Sequence, residues 1–303
     1  MKRIAFLACA ETLPAGREGL GERRGKRRGD AFEHDLFVAA LRPAFEAAGL
    51  ELIERDWRAP LATLGECDAA LLGTAWDYQD DFPAFLERLE TLEARGVRVW
   101  NPSPVVRWNG DKRYLRELAD KGVPSIPALW FASAGAGEVA IALDAFGARR
   151  VVVKRQVGAG GLDQHMFGAD DLPPPGWRTD RPCLIQPFLP SIRDEGELTF
   201  VYIGGQFCHS LRKRPAAGEY RVQSLYGGTE EAHPATPTEQ AAADTVMAAL
   251  PFGDLLYARI DMVRLDDGSL ALMEAELIEP YLYPEQGPEL GERLARTVKE
   301  RLR

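Results

Sequence analysis

The sequence predicts an α/β amino-terminal lobe followed by α+β lobes built on antiparallel sheet. Up to residue 101, short apolar runs alternate with helical stretches, the pattern of a mostly parallel sheet with helices on its faces. Beyond residue 102 this gives way to paired apolar runs joined by tight turns at Gly204-Gly205 and Asp267-Gly268.

IAFLAC is apolar on both faces and reads as a buried parallel strand. Residues 32–49 read as a helix that ends on a glycine. LELIERDW and DAALLGT are the second and third strands, and Trp76-Asp77-Tyr78 follow in a loop. Phe82, Phe85, Leu86, Leu89 and Leu92 recur at helical spacing up to Gly96. VRVW is a fourth strand, ending at Asn101-Pro102. Ligands of such sheets gather beyond the carboxyl ends of the strands, where Trp76 to Tyr78 and Asn101 fall.

Residues 111–121 and 137–146 then read as helices, VVVK as a strand entering the glycine-rich VGAGG, and CLIQPFL as a strand. ELTFVYI-GG-QFCHSLRK and LLYARIDMVRL-DDG-SLALMEAELIE read as hairpins, and residues 288–302 as a charged amphipathic helix. Three units are expected: 1–101, 102–185 and 186–303.

With 303 residues, 46% of them apolar, the chain can bury a sizeable core. Its 46 acidic residues outnumber 37 basic ones, which argues against non-specific nucleic-acid binding. The one dense basic stretch, REGLGERRGKRR at 17–28, reads as a solvated loop or, alternatively, as a flap over an anionic substrate. Cys9, Cys67, Cys183 and Cys208 form no CxxC pair and read as buried free thiols of a reducing cytoplasm. The start MKRIAFLACA is a first strand rather than a signal peptide. No run approaches the roughly 20 apolar residues of a membrane span.

Glu274 and Glu276 are two apart in a strand and share a face. The turn at Asp267-Gly268 brings Asp261 of the partner strand opposite Glu274. Three like charges on one face need a cation or bases to offset them. Oxygen ligands of this kind suit Mg²⁺; a solvent-facing acidic strand is the other reading, and the apolar flanks favour burial. Arg259 shares the face of Asp261 and could reach a phosphoryl group.

Lys154 ends its strand directly before Gly158, Gly160 and Gly161, a workable phosphate cradle but not a Walker loop. Lys112 in NGDK is placed at the start of a helix, whose dipole favours anions; an exposed helical lysine is the plain alternative. Gln186, Pro187, Phe188 and Leu189 form an extended segment whose backbone could bond an adenine edge, or an ordinary edge strand ending at proline. Glu197 could hold a ribose hydroxyl.

In this order, NGDK, VVVK with its glycine loop, LIQPFL, Gly196-Glu197, Arg259 to Asp261 and MEAE before Glu279-Pro280 resemble the ATP-grasp superfamily over roughly residues 100 to 285. The segment KRPAAGEYRVQ followed by Gly227-Gly228 is similar to the bacterial glutathione synthetase branch. Trp76-Asp77-Tyr78 and NPSPVVRWNGDKRYL are similar to the group containing the cyclo-ligase of D-cycloserine biosynthesis. Four positions depart from these patterns. Lys213 stands for a usual arginine, Arg155 for a proline, Glu276 for an asparagine, and Gly73 or Thr74 for an arginine.

The resemblance implies that Lys112, Lys154, the glycine loop, Gln186 to Leu189 and Glu197 bind ATP, and that Asp261, Glu274 and Glu276 bind Mg²⁺. It implies Lys213, Arg221 and Arg259 as catalytic groups. Trp76, Asp77, Tyr78, Gly227 and Gly228 are implied around the substrate. The implied reaction is ATP-dependent ligation of a small, amino-acid-like carboxylate to an amine through an acyl phosphate. A nucleotide-binding regulator without turnover, and phosphoryl transfer to a non-carboxylate acceptor, are the alternatives. The expected partners are the two small substrates, with no nucleic acid or membrane; a homo-oligomer is left open.

Overall fold

The computed structural model describes residues 1–14 and 26–303. Most of the basic stretch at 17–28 lies outside the described residues; of it, Lys26, Arg27 and Arg28 are described.

The amino-terminal lobe holds β1 (Lys2–Ala8), α1 (Ala31–Ala47), β2 (Leu50–Asp56), α2 (Leu61–Leu64), β3 (Ala69–Thr74), α3 (Phe82–Ala94) and β4 (Arg98–Trp100). Its four strands are all parallel, in the order β2-β1-β3-β4. Strand β1 is apolar on both faces because each face meets a helix. Ile4 and Phe6 pack with Phe37, Leu41 and Phe45 of α1, while Ala5 and Leu7 pack with Phe85, Leu89 and Leu92 of α3.

The helix expected at 111–121 forms as the shorter α5 (Tyr114–Asp120), and an unexpected helix, α4 (Ser103–Asn109), precedes it. Prolines near α4 conceal it in sequence, yet Pro104 falls in its first turn, where no amide is needed. Lys112 therefore precedes the helix, and its amide donates to the Gln156 carbonyl (2.9 Å), which corrects the dipole argument for this lysine.

A four-stranded antiparallel sheet follows, made of β5 (Leu129–Phe131), β6 (Arg150–Arg155), β7 (His165–Gly168) and β8 (Cys183–Pro187) in the order β5-β8-β6-β7, with α6 (Ala136–Phe146) behind it. The boundary read at 185/186 cuts through β8. After α7 (Ser191–Asp194) comes a five-stranded antiparallel sheet of β9 (Glu197–Ile203), β10 (Gln206–Arg214), β11 (Thr229–Ala232), β12 (Tyr257–Arg264) and β13 (Leu270–Glu276), ordered β11-β10-β9-β12-β13. Both expected hairpins form, and Gly204 and Gly205 adopt the positive φ of their turn.

Helix α8 (Pro237–Ala249) packs behind this sheet through Ala243 and Val246. It was readable: Thr236 and Glu239 form a capping box ahead of an alanine-rich run. The last helix, α9 (Leu290–Arg301), returns to the amino-terminal lobe, where Leu290, Leu294 and Val298 join the core of α1. Val201, Ile203, Leu211 and Tyr257 enter that same core, so the amino-terminal lobe and the five-stranded sheet share one interior.

Candidate active site

The two antiparallel sheets face each other across a cleft of ≈950 Å³. Its walls are of two kinds. Ile126, Val152, Phe188, Leu189, Val263 and Met273 make an apolar wall, and Lys112, Lys154, Arg259, Asp261, Glu274 and Glu276 a charged one. The pattern resembles a small-molecule site, mostly apolar with a few convergent polar groups.

Register brings the charges together. Asp261 lies opposite Glu274 and Arg259 opposite Glu276. The pairing shifts after Asp261, leaving Met273 as a bulged residue that adds to the wall. The carboxylates are not left facing one another. Glu274 pairs with Lys112, Glu276 with Arg259, and Asp261 with Arg259 (2.9 Å) and Lys213 (3.3 Å). Among the described residues, the acidic or thiol group whose ligand atoms all lie within 4.8 Å of one another is instead Cys9, Glu11 and Asp77. The three carboxylates share one sheet face, as the strand pattern predicts, and bases offset their charges.

Burial pushes the Glu276 carboxyl upward despite Arg259, and the charges of Glu274 and Asp261 push it further. Burial also raises Asp261, but Arg259 and Lys213 win, with help from the Thr199 hydroxyl at 2.6 Å, and hold it low. Hard oxygen donors with unrelieved mutual repulsion fit a divalent cation that also takes phosphate oxygens.

Lys154 is half-buried in the wall and has no hydrogen-bond or ion-pair partner among the described residues. Burial, with Lys112 nearby, draws its ammonium below the usual lysine value. The Lys112 ammonium donates to the Gly158 carbonyl (2.8 Å), tying the glycine loop to β13 through Glu274. Gly160 and Gly161 take φ of +62° and +67°, which L side chains resist. Arg155, the residue replacing a proline, pairs with Asp163 across this loop. The Gln186 side-chain carbonyl is buried in the wall without a partner, whereas the Phe188 amide is taken by the Arg150 carbonyl (2.9 Å). Glu197 lines the cleft, but its carboxylate is bonded to Lys213.

Other expected residues stand differently. Lys213 is buried between Glu197 and Asp261 and is not among the residues that line the cleft. Arg221 does line it, stacked 3.6 Å from the Tyr226 ring centre and paired with Glu219 at 2.6 Å. Gly227 and Gly228 give their amides to Ser224 and Gln223 carbonyls, so they build the turn that presents Arg221 rather than facing a ligand. Gly228 admits no side chain, since a Cβ there would lie 1.9 Å from the Val222 carbonyl oxygen. Asp77 accepts from the Trp57 indole (2.7 Å) and pairs with Arg58, which makes it a support of the lobe. Tyr78 packs on Phe82 and Phe85 and borders a narrower recess beside Glu274 and Glu279. Trp76 alone of the three is partly exposed, donating to the Glu279 carbonyl (3.1 Å) beneath Arg28. Gly73 lies so close to Phe6 that a Cβ would stand 2.3 Å from the ring, so no arginine fits there.

Asn101 and Asn109 were not read as structural, yet both are buried braces of the five-stranded sheet. Asn109 bonds the Ala275 carbonyl (2.7 Å) and the Leu277 amide (2.8 Å). Asn101 bonds the carbonyls of Tyr257 and Leu277 and the amide of Leu256. Val263 was within reach of sequence reasoning, as the next same-face residue after Arg259 and Asp261.

Residues 176–274 match the family described as prokaryotic glutathione synthetase, ATP-grasp domain, and residues 4–101 the D-cycloserine synthetase DcsG, N-terminal domain. Over these stretches the chain is similar to ATP-grasp proteins, and its fold is that of its ATP-grasp neighbours. It is 28% identical over 293 residues to the cycloserine biosynthesis protein DcsG of Streptomyces lavendulae, covering 89% of this chain and 95% of that one. Glutathione synthetase of Ralstonia nicotianae is 27% identical over 226 residues, covering 69% and 66%. The crystal structure of D-cycloserine synthetase DcsG superposes with a TM-score of 0.78 at 25% identity, over 99% of this chain and 100% of that one. No helix of the described residues is long and apolar enough to cross a membrane.

Proposed function

We propose that this chain activates a small, amino-acid-like carboxylate as an acyl phosphate and passes the acyl group to an amine. In the first step a carboxylate oxygen attacks the γ-phosphorus of ATP, and ADP leaves. In the second, the amine attacks the acyl carbon, phosphate leaves and the amine proton is lost, giving an amide. Lys112 and Lys154 hold phosphates, Gln186 to Leu189 receive the base, and Arg221 and Arg259 offset charge developing on the transferred group. Lys213, set behind the wall, keeps Glu197 and Asp261 in place. Asp261, Glu274 and Glu276 would hold magnesium, which when bound supplies charge neutralisation to the phosphates. The acyl acceptor is either part of the same molecule as the acid, as the cyclo-ligase resemblance implies, or a second molecule.

The observation that carries this reading is Lys154, a half-buried ammonium with no partner among the described residues, lining one cleft with three carboxylates. An unpaired buried cation costs stability unless a ligand anion meets it. The test is incubation with ATP, magnesium and panels of amino acids and amines, followed by phosphate release. Hydroxylamine as the amine should trap a hydroxamate. ATP binding without ADP formation on any acid would replace the ligase by a nucleotide-binding regulator.

A further inference from the structure

The turn that carries Arg221 touches all three parts of the molecule. Toward the four-stranded sheet, the Tyr226 hydroxyl donates to the Gly161 carbonyl (3.4 Å) and the Tyr220 hydroxyl to the Gln164 carbonyl (3.2 Å). It thereby meets the glycine loop, and a Cβ on Gly161 would lie 3.2–3.4 Å from Gln223, Arg221 and Tyr226. Toward the five-stranded sheet, it continues directly into β11. Toward the amino-terminal lobe, the Ser224 hydroxyl donates to the Glu33 carboxylate in the first turn of α1. Beside that bond, Leu225 closes on Gly29, where a Cβ would stand 3.1 Å from Leu225 Cδ1.

The Glu33–Ser224 bond joins residues 191 positions apart. Burial lifts the Glu33 carboxyl to about 7, with the Ser224 bond pulling the other way. A half-buried carboxyl oxygen that loses its donor is left unsatisfied, and such a loss costs more than an average hydrogen bond contributes. The amides of Tyr226, Gly227 and Gly228 are bonded within the turn, so its order has a direct readout.

We infer that Glu33 is a positioning residue whose bond to Ser224 clasps the Arg221 turn to the amino-terminal lobe. The clasp seats the turn against the glycine loop and so closes the cleft against water. The inference rests on the ligase reading for its purpose but not for its geometry. An acyl phosphate is destroyed by water, and a loosened turn should let it in.

Amide hydrogen exchange on the full chain with ADP and magnesium tests the geometry. Ser224→Ala and Glu33→Ala should each speed exchange at residues 222–228 by about fivefold or more, as loss of a buried hydrogen bond implies. Residues 158–162 should follow. Glu33→Gln keeps an acceptor and should stay within about twofold of the wild type, which separates the bond from the charge. Because the two groups share one bond, the double variant should be no faster than either single one. Unchanged exchange in both single variants, or additive effects, overturns the clasp. The second arm measures phosphate released per hydroxamate formed, with hydroxylamine as amine. That ratio should rise about threefold or more in Ser224→Ala, the same loss of order read as leakage. A ratio that stays level while exchange rises overturns the claim that the clasp excludes water. Absence of any hydroxamate from the wild type defeats the ligase reading instead, and exchange alone then decides the clasp.

Discussion

The two sheets that face the cleft are built from the same kind of antiparallel ladder but are anchored differently. The five-stranded sheet shares its interior with the amino-terminal lobe, and Asn101 and Asn109 fasten its β12–β13 edge from that side. The four-stranded sheet has a core of eight buried residues that include Val139, Val151 and Ile185, and it meets the core of the five-stranded sheet through Leu184 and Trp130. The division places the carboxylates and Arg259 on the sheet tied to the amino-terminal lobe, and Lys154 and the glycine loop on the other.

Breaking the carboxylate wall should have the largest effect. Glu274→Ala removes an oxygen donor and leaves Lys112 without its carboxylate. ADP formation should fall at least about 100-fold, the cost of losing a major electrostatic group. Full turnover in this variant would sink the metal assignment.

The opposite wall gives a sharper contrast. Lys154→Met replaces an unpaired buried amine with an apolar chain of similar length. Steady-state ADP release should show kcat/KM down by about 100-fold. The melting temperature should equal or exceed that of the wild type, because no ion pair is broken. A large drop in melting temperature would make Lys154 structural.

Asn109→Ala probes whether the five-stranded sheet and the amino-terminal lobe are one unit. It removes two bonds to the β13 segment, at a cost of about 2–4 kcal/mol in urea unfolding. Tryptophans of the amino-terminal lobe and circular dichroism should report one shared transition; separate transitions would break the comparison.

The smallest effect is a pH dependence behind the carboxylate wall. Burial would raise Glu239, but the Thr236 amide, His233 and Arg264 together hold it down at about 2 from 4.5. Its folded value is depressed, so its contribution is fully present above the unfolded value and is lost as pH falls from about 4.5 through about 2. Chemical denaturation across that range should show a shallower acid loss for Glu239→Gln than for the wild type.

Much of the charged wall was legible because its determinants are local. A period of two places Arg259, Asp261 and Val263 on one face, and a turn at Asp267-Gly268 sets Glu274 opposite Asp261. Lys154 and its glycines are contiguous. What the local pattern missed is equally specific. The bulge at Met273 leaves the alternation of hydrophobicity unchanged, and the pairing of Lys213 with Glu197 depends on a register shift between Phe207 and His209 within the expected hairpin. The internal partners of Asp77, Gly227 and Gly228 were hidden because a motif gives residue identity but not where an amide or carboxylate finds its partner.

The sequence by itself determined the element types, the parallel-to-antiparallel change near residue 102 and the ATP-grasp order of motifs, since all three depend on periodicity, turn chemistry and spacing along the chain. Only the tertiary structure decided which bases offset the three carboxylates, that Lys154 has no partner among the described residues, that Asn101 and Asn109 brace a distant edge, and that Glu33 meets Ser224. Those facts arise from contacts between residues tens to hundreds of positions apart. Their energies come from burial and from hydrogen bonds that exist only once the sheets are assembled.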